Sequence, residues 1–192
     1  MRIISGLWKG KRLLAPRNLP TRPTTDFAKE ALFNILNHRF FLNEVDVLDL
    51  FAGIGGVSFE FASREANSIW SVEQNAICTK FLYNTIDQLN IDQMNVIRQD
   101  VYKFLLKSPP REFDIIFADP PFESTKEENY AKLVDLIFSR RWLAASGLLI
   151  IEHGPRTNLS SLPHYTDQKK YGNLIFSFFE YDESEWDDDE EE

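Results

Sequence analysis

The regular alternation of strand-length and helix-length segments between Val45 and Gly154 constrains the fold most strongly. The segments VDVLDLFAG, SIWSVEQ, MNVIRQD, FDIIFADPP and GLLIIEHG are typical of buried strands. Helical spacing separates them in GGVSFEFASRE, NAICTKFLYNTIDQL, VYKFLLK and NYAKLVDLIFSRRWL. This alternation predicts an α/β fold whose Rossmann-like sheet is mostly parallel and carries helices on both faces. The segment HYTDQKKYGNLIFSFFEYD predicts an antiparallel C-terminal hairpin.

The residues before Val45 predict a small β-hairpin followed by a helix. RIISG and KRLLAP flank LWKG, and TTDFAKEALFNILNHRF has helical spacing, with Thr24 or Thr25 as its N-cap. The length of 192 residues favours one main domain. We therefore expect a basic hairpin and loop in residues 1–24, a Rossmann-like α/β domain in 25–181 and an acidic disordered tail in 182–192.

Charge is strongly segregated along the chain. The last residues, DESEWDDDEEE, contain nine of the 30 acids, and the other 21 acids equal the 21 Lys and Arg residues. The first 22 residues contain no acid and six cations: Arg2, Lys9, Lys11, Arg12, Arg17 and Arg22. Six cations without an acid predict either a solvated hairpin or a phosphate-binding surface.

Several classes of protein are excluded or disfavoured. No run of 18 apolar residues could cross a membrane, and the N-terminal segment has charges where a signal peptide has an apolar run. Cys78 is the single cysteine, so an internal disulfide is impossible and a reducing cytoplasm fits. The three histidines lack the spacing of metal ligands, and we expect no metal: His38, His153 and His164.

The first predicted strand ends in a glycine turn with an acid at its edge. Asp49, Gly53 and Gly55 surround this turn, where glycine lets a backbone approach a ligand and an acid holds a hydroxyl or ammonium group. A dinucleotide site is the rival interpretation. However, Ser58 stands where the third glycine of G-x-G-x-x-G is expected, and a pyrophosphate is repelled by Asp49.

The next two strands also end in acids. Glu73 lies where it could accept both ribose hydroxyls of a nucleoside, and Asp100 could accept an adenine amino group. Each acid taken singly could equally be a helix cap. Because the carboxyl ends of parallel strands meet at one edge of a sheet, the set indicates a nucleoside-binding site.

The fourth strand ends in Asp-Pro-Pro-Phe. Pro120 and Pro121 fix two φ angles and cannot donate hydrogen bonds, so Asp119 and the neighbouring carbonyls form a rigid group of acceptors. Such acceptors suit an exocyclic amine, and Phe122 offers a face for stacking a nucleobase. The competing interpretation is a prolyl turn with a solvated acid.

These residues resemble the class I amino-methyltransferases that use S-adenosylmethionine. DLFAG and DPPF are similar to the cofactor loop and the acceptor tetrapeptide of that class. In addition, MRIISGLWKGKRLLAP, RPTTDFAKEALFNIL, VEQN, IIEHG and KKYGNLIFSFF occur in the order of the RsmD family, the bacterial 16S rRNA guanine-N2 methyltransferases. The resemblance covers about residues 1–181, whereas the acidic tail and Phe27 depart from the family pattern.

The resemblance implies a role for each motif. Residues implied in binding S-adenosylmethionine are Arg22, Pro23, Thr24, Asp49, Phe51, Gly53, Gly55, Glu73 and Asp100. Those implied in receiving a flipped guanine and catalysing the transfer are Asp119, Pro120, Pro121 and Phe122. Candidates for RNA phosphates are Arg2, Lys9, Lys11 and Arg12. We expect a cytoplasmic monomer acting on 16S rRNA or on the small ribosomal subunit.

Three other functions remain open from the residues. A DNA adenine methyltransferase shares the tetrapeptide but normally needs a target-recognition domain. A nicotinamide oxidoreductase would bind NADH and ignore S-adenosylmethionine. A non-catalytic RNA-binding module would be indifferent to Asp119→Ala.

Overall fold

The computed structural model describes residues 1–16, 24–121 and 126–182. Its strands are β1 Asp46–Leu50, β2 Ser68–Val72, β3 Met94–Ile97, β4 Phe113–Ala118, β5 Leu143–His153, β6 Tyr165–Tyr171 and β7 Leu174–Phe179. Its helices are α1 Asp26–Asn37, α2 Ser58–Ser63, α3 Ala76–Leu89, α4 Val101–Leu105 and α5 Glu127–Ser139. Among these helices, none is long and apolar enough to cross a membrane.

The seven strands form one sheet in the order β3-β2-β1-β4-β5-β7-β6. The pairs from β3 to β5 are parallel, whereas β7 is antiparallel to both β5 and β6. This arrangement confirms the predicted α/β fold with its antiparallel C-terminal hairpin. The strand order reverses between β1 and β4, and in such sheets ligands bind beyond the carboxyl ends at this point.

Alternate residues of the central strands face two separate cores. Val47 and Phe117 face a core that also contains residues of α1, α2 and α3. Leu48 and Ile116 face the other core, which α4 and α5 cover. Because both faces of the sheet are buried, the central strands are apolar almost throughout, as is usual for parallel sheets.

The boundary between α5 and β5 differs from the sequence prediction. Helical spacing was expected to continue through Leu143, but α5 ends at Ser139 and β5 already includes Leu143. Arg141 has φ 54°, and the Trp142 N–H donates to the Ile137 carbonyl over 2.9 Å. This left-handed turn closes the helix as a Schellman motif and carries the buried Trp142 back toward the sheet.

The N-terminal segment forms an antiparallel pair that packs against α2. A bridge joins Arg2 and Arg12, and the Ile3 N–H donates to the Lys11 carbonyl over 2.9 Å. Gly6 has φ 82°, and a Cβ there would stand 1.8 Å from the Ser63 carbonyl oxygen. The segment therefore approaches the end of α2 so closely that only glycine fits.

Candidate active site at the carboxyl edge of the sheet

The turn after β1 is held by an acid from β2. The Gly53 N–H donates to Glu73 Oε2 over 2.8 Å, and the Asn75 N–H donates to Glu73 Oε1 over 2.7 Å. Phe51 enters the turn with φ 61°, and its ring lies edge-on to Tyr102. A carboxylate accepts about four hydrogen bonds, so Glu73 can hold this loop and still accept ribose hydroxyls.

Gly55 is required by packing as well as by backbone conformation. Its φ is 78°, and an added Cβ would lie 2.5 Å from Leu82 Cδ2 and 2.8 Å from the Phe59 ring. The glycine turn therefore lets α2 and α3 meet directly behind the loop.

Asp49 lies almost completely buried under the same turn. The Ser58 N–H donates to Asp49 Oδ2 over 3.1 Å, and the Ser58 hydroxyl, which also bonds Ser71, donates to the same oxygen. Burial raises the pKa of Asp49 to about 7, although the Ser58 hydrogen bonds oppose that rise. The serine at the position expected for a third glycine thus positions the carboxyl group at the edge of the site.

Asp100 caps α4. Its Oδ1 accepts a hydrogen bond from the Lys103 N–H over 2.9 Å, which is the capping role that the sequence left open. The Asp100 side chain is partly exposed, and the adjoining chain is tied to β2 because the Gln99 N–H donates to the Glu73 carbonyl over 3.2 Å. Capping uses one oxygen, so contact with an adenine amino group remains a prediction.

Asp119 follows β4 beside the glycine turn. Its N–H lies 3.4 Å from the Leu50 carbonyl, which extends the pairing of β1 with β4 by one residue. Pro120 is buried and Pro121 is exposed. Burial raises the pKa of Asp119 to about 7. Phe122 lies outside the described residues, so its proposed stacking role is untested.

Glu152, near the end of β5, is a site residue that the sequence reasoning missed. It is 7% exposed, and the Thr24 hydroxyl donates to its Oε2 over 3.2 Å. Burial raises the pKa of Glu152, and the nearby carboxyl groups of Asp119 and Asp49 raise it further. Thr24 therefore does reach the carboxyl edge, whereas Arg22 and Pro23 lie outside the described residues.

Three of the acids at this end of the sheet interact electrostatically: Asp49, Asp119 and Glu152. Within the described ranges, no Lys or Arg forms a salt bridge with any of them, and no group of His, Cys, Asp and Glu could hold a metal ion. Buried acids that raise one another's pKa favour a positively charged ligand, because a cation stabilises their ionised forms.

The candidate RNA-binding cations lie on the N-terminal segment. Lys9 and Arg12 are exposed and Lys11 is partly buried. Arg2 is exposed and pairs with Asp26 over 2.9 Å. In the part of the chain that the structure describes, the other three have no salt-bridge partner. They present positive charge without nearby compensation.

Comparison with known sequences gives a consistent result. The family described as conserved hypothetical protein 95 matches residues 1–180. The ribosomal RNA small subunit methyltransferase D of Haemophilus influenzae is 34% identical over 182 residues, spanning 93% of this chain and 91% of its own.

Solved structures share the fold. The Escherichia coli protein yhhF superimposes with a TM-score of 0.82 at 26% identity, covering 95% of this chain and 99% of its own. A Thermus thermophilus 16S rRNA N2 methyltransferase, solved with AdoMet and guanosine, gives a TM-score of 0.68 at 21% identity. It covers 85% of this chain and 45% of its own, and at that identity it supports the fold alone.

Proposed function

This chain belongs to the family of conserved hypothetical protein 95, the RsmD family, and on that premise we propose that it methylates a guanine in 16S rRNA. The methyl donor in this proposal is S-adenosylmethionine and the acceptor is the exocyclic N2 amine. The single observation that carries the proposal is the Asp-Pro-Pro sequence beside a buried acidic edge at the point where strand order reverses.

The donor site is proposed from residues at the ends of β1, β2 and β3. Glu73 would accept the ribose hydroxyls, while the loop containing Gly53 and Gly55 approaches the nucleoside. Asp100 would contact the adenine amino group. Asp49, Asp119 and Glu152, which form no salt bridge with a described Lys or Arg, fit a donor whose methyl group is carried on a positively charged sulfur.

The acceptor site is proposed around Asp119. A guanine turned out of its stack would donate N2 hydrogens to the Asp119 carboxylate and to carbonyls next to Pro120. These bonds hold the N2 lone pair toward the methyl carbon. As N2 bonds to that carbon, the carbon–sulfur bond breaks, and N2 then loses a proton. Orientation of this kind supplies several kcal/mol, on the order of 7 in favourable cases.

The RNA surface is proposed to be the N-terminal segment, where Lys9, Lys11 and Arg12 would contact phosphates. Its close attachment to α2 would place this surface at a fixed distance from the donor loop. The substrate would be either naked 16S rRNA or the small ribosomal subunit. Because both are found in the cytoplasm, we expect the protein to act there, as a monomer.

Methyl transfer is the direct test. The purified protein would be given methyl-labelled S-adenosylmethionine with 16S rRNA, small subunits or duplex DNA, and the products digested to nucleosides. We expect label in N2-methylguanosine from ribosomal RNA, none in DNA, and none with Asp119→Ala. Asp87→Ala, which changes an exposed acid on α3, is the matched control. Label in N6-methyladenine, or binding of NADH without any label, would contradict the proposal.

A further inference from the structure

We infer that Glu152 is the residue that makes the site prefer the positively charged donor over its neutral product. The inference rests on the proposed function and adds a role to a side chain outside the glycine turn and the Asp-Pro-Pro sequence. It applies to the equilibrium between binding the donor and releasing S-adenosylhomocysteine, the product that remains after the methyl group has left.

Sheet register places Glu152 beside the acceptor acid. Phe117 pairs with Ile150 in the parallel β4–β5 ladder, and both side chains face the same core. Two residues further along each strand, Asp119 and Glu152 therefore lie next to each other on that same face. On the neighbouring strand β1, Asp49 lies opposite Phe117 and belongs to the same face.

Among the described residues, one buried carboxylate oxygen of Glu152 has no hydrogen-bond donor. Its Oε2 accepts from the Thr24 hydroxyl, and among the described residues no donor reaches its Oε1. On the antiparallel side it pairs with Phe176, an apolar residue of β7. A buried carboxylate atom without a partner is unfavourable, so an incoming cation or donor would restore the missing interaction.

Charge then separates the two ligands. The donor and the product share the adenosine, the α-ammonium and the α-carboxylate, and they differ by the methyl group and the positive charge on sulfur. Interaction with a shared group cannot discriminate between them. Glu152 adjoins Asp119, which in the proposed function orients the acceptor amine toward the methyl carbon, so the Glu152 carboxylate would lie close to sulfur and favour only the donor. Once the methyl group has moved to N2 that attraction ends, which assists release of the product.

The experiment compares affinities of the full-length protein for both ligands by calorimetry at pH 8.5. Glu152→Gln keeps the size and the acceptor for Thr24 but cannot become negatively charged when the donor binds. We expect its affinity for S-adenosylmethionine to fall by about tenfold or more, and that for S-adenosylhomocysteine to stay within about twofold. Asp87→Asn is the matched control, because it removes one negative charge at an exposed position of α3.

Each outcome of the affinity comparison supports or overturns the role of Glu152. Equal losses for both ligands, or no loss for either, overturn the role of Glu152, while methyl transfer by the wild-type protein would leave the proposed function standing. If the wild-type protein binds neither ligand, both ideas fail together. A melting temperature of Glu152→Gln that is no lower than that of the wild-type protein shows that a selective loss does not arise from unfolding.

Discussion

Two buried glutamates, Glu60 and Glu152, lie in opposite electrostatic surroundings. Glu60 in α2 is fully buried and accepts hydrogen bonds from Lys29, 3.0 Å away, from Arg64 and from the Ile4 N–H, 2.8 Å away. Glu152 in β5 is nearly as buried, but the nearest charged groups that affect it are other acids.

The difference separates structural charge from functional charge. Around Glu60 every charge has a partner, and the network fastens the N-terminal segment to α1 and α2, since Lys29 Nζ also donates to the Arg2 carbonyl. Around Glu152 the acids repel one another, which reduces stability unless a cation binds. Unfavourable buried charge of this second kind is typical of binding and catalytic sites.

The largest expected effect is on the paired side of the comparison. Glu60→Ala removes the buried carboxylate that pairs with Lys29, which is 1% exposed, and leaves it, among the described acids, only the more exposed and more distant Asp26, 3.5 Å away. We expect a loss of about 3–5 kcal/mol in the free energy of unfolding, measured by urea denaturation. The double variant Lys29→Met with Glu60→Leu should be more stable than Glu60→Ala. Wild-type stability for Glu60→Ala would show that the two glutamates do not differ in this way.

On the unpaired side, Asp119→Ala should remove activity without destabilising the fold. Loss of one group that stabilises the transition state typically lowers kcat by about 10²–10³-fold. Stability should be unchanged or higher, because burial already raises the pKa of this acid and penalises its charge. Asp119→Asn, which keeps one acceptor oxygen, should lose less activity. A variant that is inactive only because it unfolds would contradict this prediction.

Glu152→Gln sharpens the comparison through pH. Burial raises the pKa of Glu152 from 4.5 to about 9, so the folded state keeps a proton that the unfolded state loses. Wild-type stability should therefore fall relative to the Gln variant as pH rises from about 4.5 to 9. Below pH 4.5 Glu152 is protonated in the folded and the unfolded state, so the difference in stability between wild type and variant should be smallest there. Chemical denaturation at several pH values measures the difference in the free energy of unfolding between the two proteins. A difference that narrows as pH rises would contradict a raised pKa for Glu152.

The smallest effects are expected at the exposed cations. Replacing Lys9, Lys11 or Arg12 singly with Ala should weaken RNA binding and reduce the slope of log affinity against log salt by about one. Affinity for S-adenosylmethionine should not change. Lys103→Ala is the matched control, since this exposed lysine belongs to α4 on the other side of the sheet. If none of the three changes alters the slope, the N-terminal segment does not contact RNA phosphates.

The strands and most of the candidate site residues could be predicted from the sequence, because hydrophobic periodicity and the position of an acid after an apolar run are local signals. Asp49, Glu73, Asp100 and Asp119 each follow an apolar run, so the rule about carboxyl ends finds them. Glu152 also lies near the carboxyl end of a strand, in GLLIIEHG, but no glycine or proline turn marks it as a site residue. Its neighbours, Thr24 and the end of β4, are distant in the sequence. Only the three-dimensional structure shows that none of the described Lys or Arg residues forms a salt bridge with Glu152.

Other features were hidden for similar reasons. The pairing of Lys29 with Glu60 joins two helices, and nothing in either helical pattern indicates the partner. Lys29 is a charged residue of the predicted helix TTDFAKEALFNILNHRF, yet it is buried. Ser58 looked like a missing glycine in a dinucleotide motif, whereas its hydroxyl and N–H both serve Asp49.

Proton release on ligand binding tests most directly whether the acidic edge is built for a cation. At pH 8, below the pKa of about 9 for Glu152, the free site holds a proton that a positive ligand should displace. Calorimetry in buffers of different ionisation enthalpy measures the number of protons released when the ligand binds. We expect S-adenosylmethionine to release up to about one proton more than S-adenosylhomocysteine, and Glu152→Gln to abolish the difference. Equal proton release by both ligands in the wild-type protein would contradict this expectation.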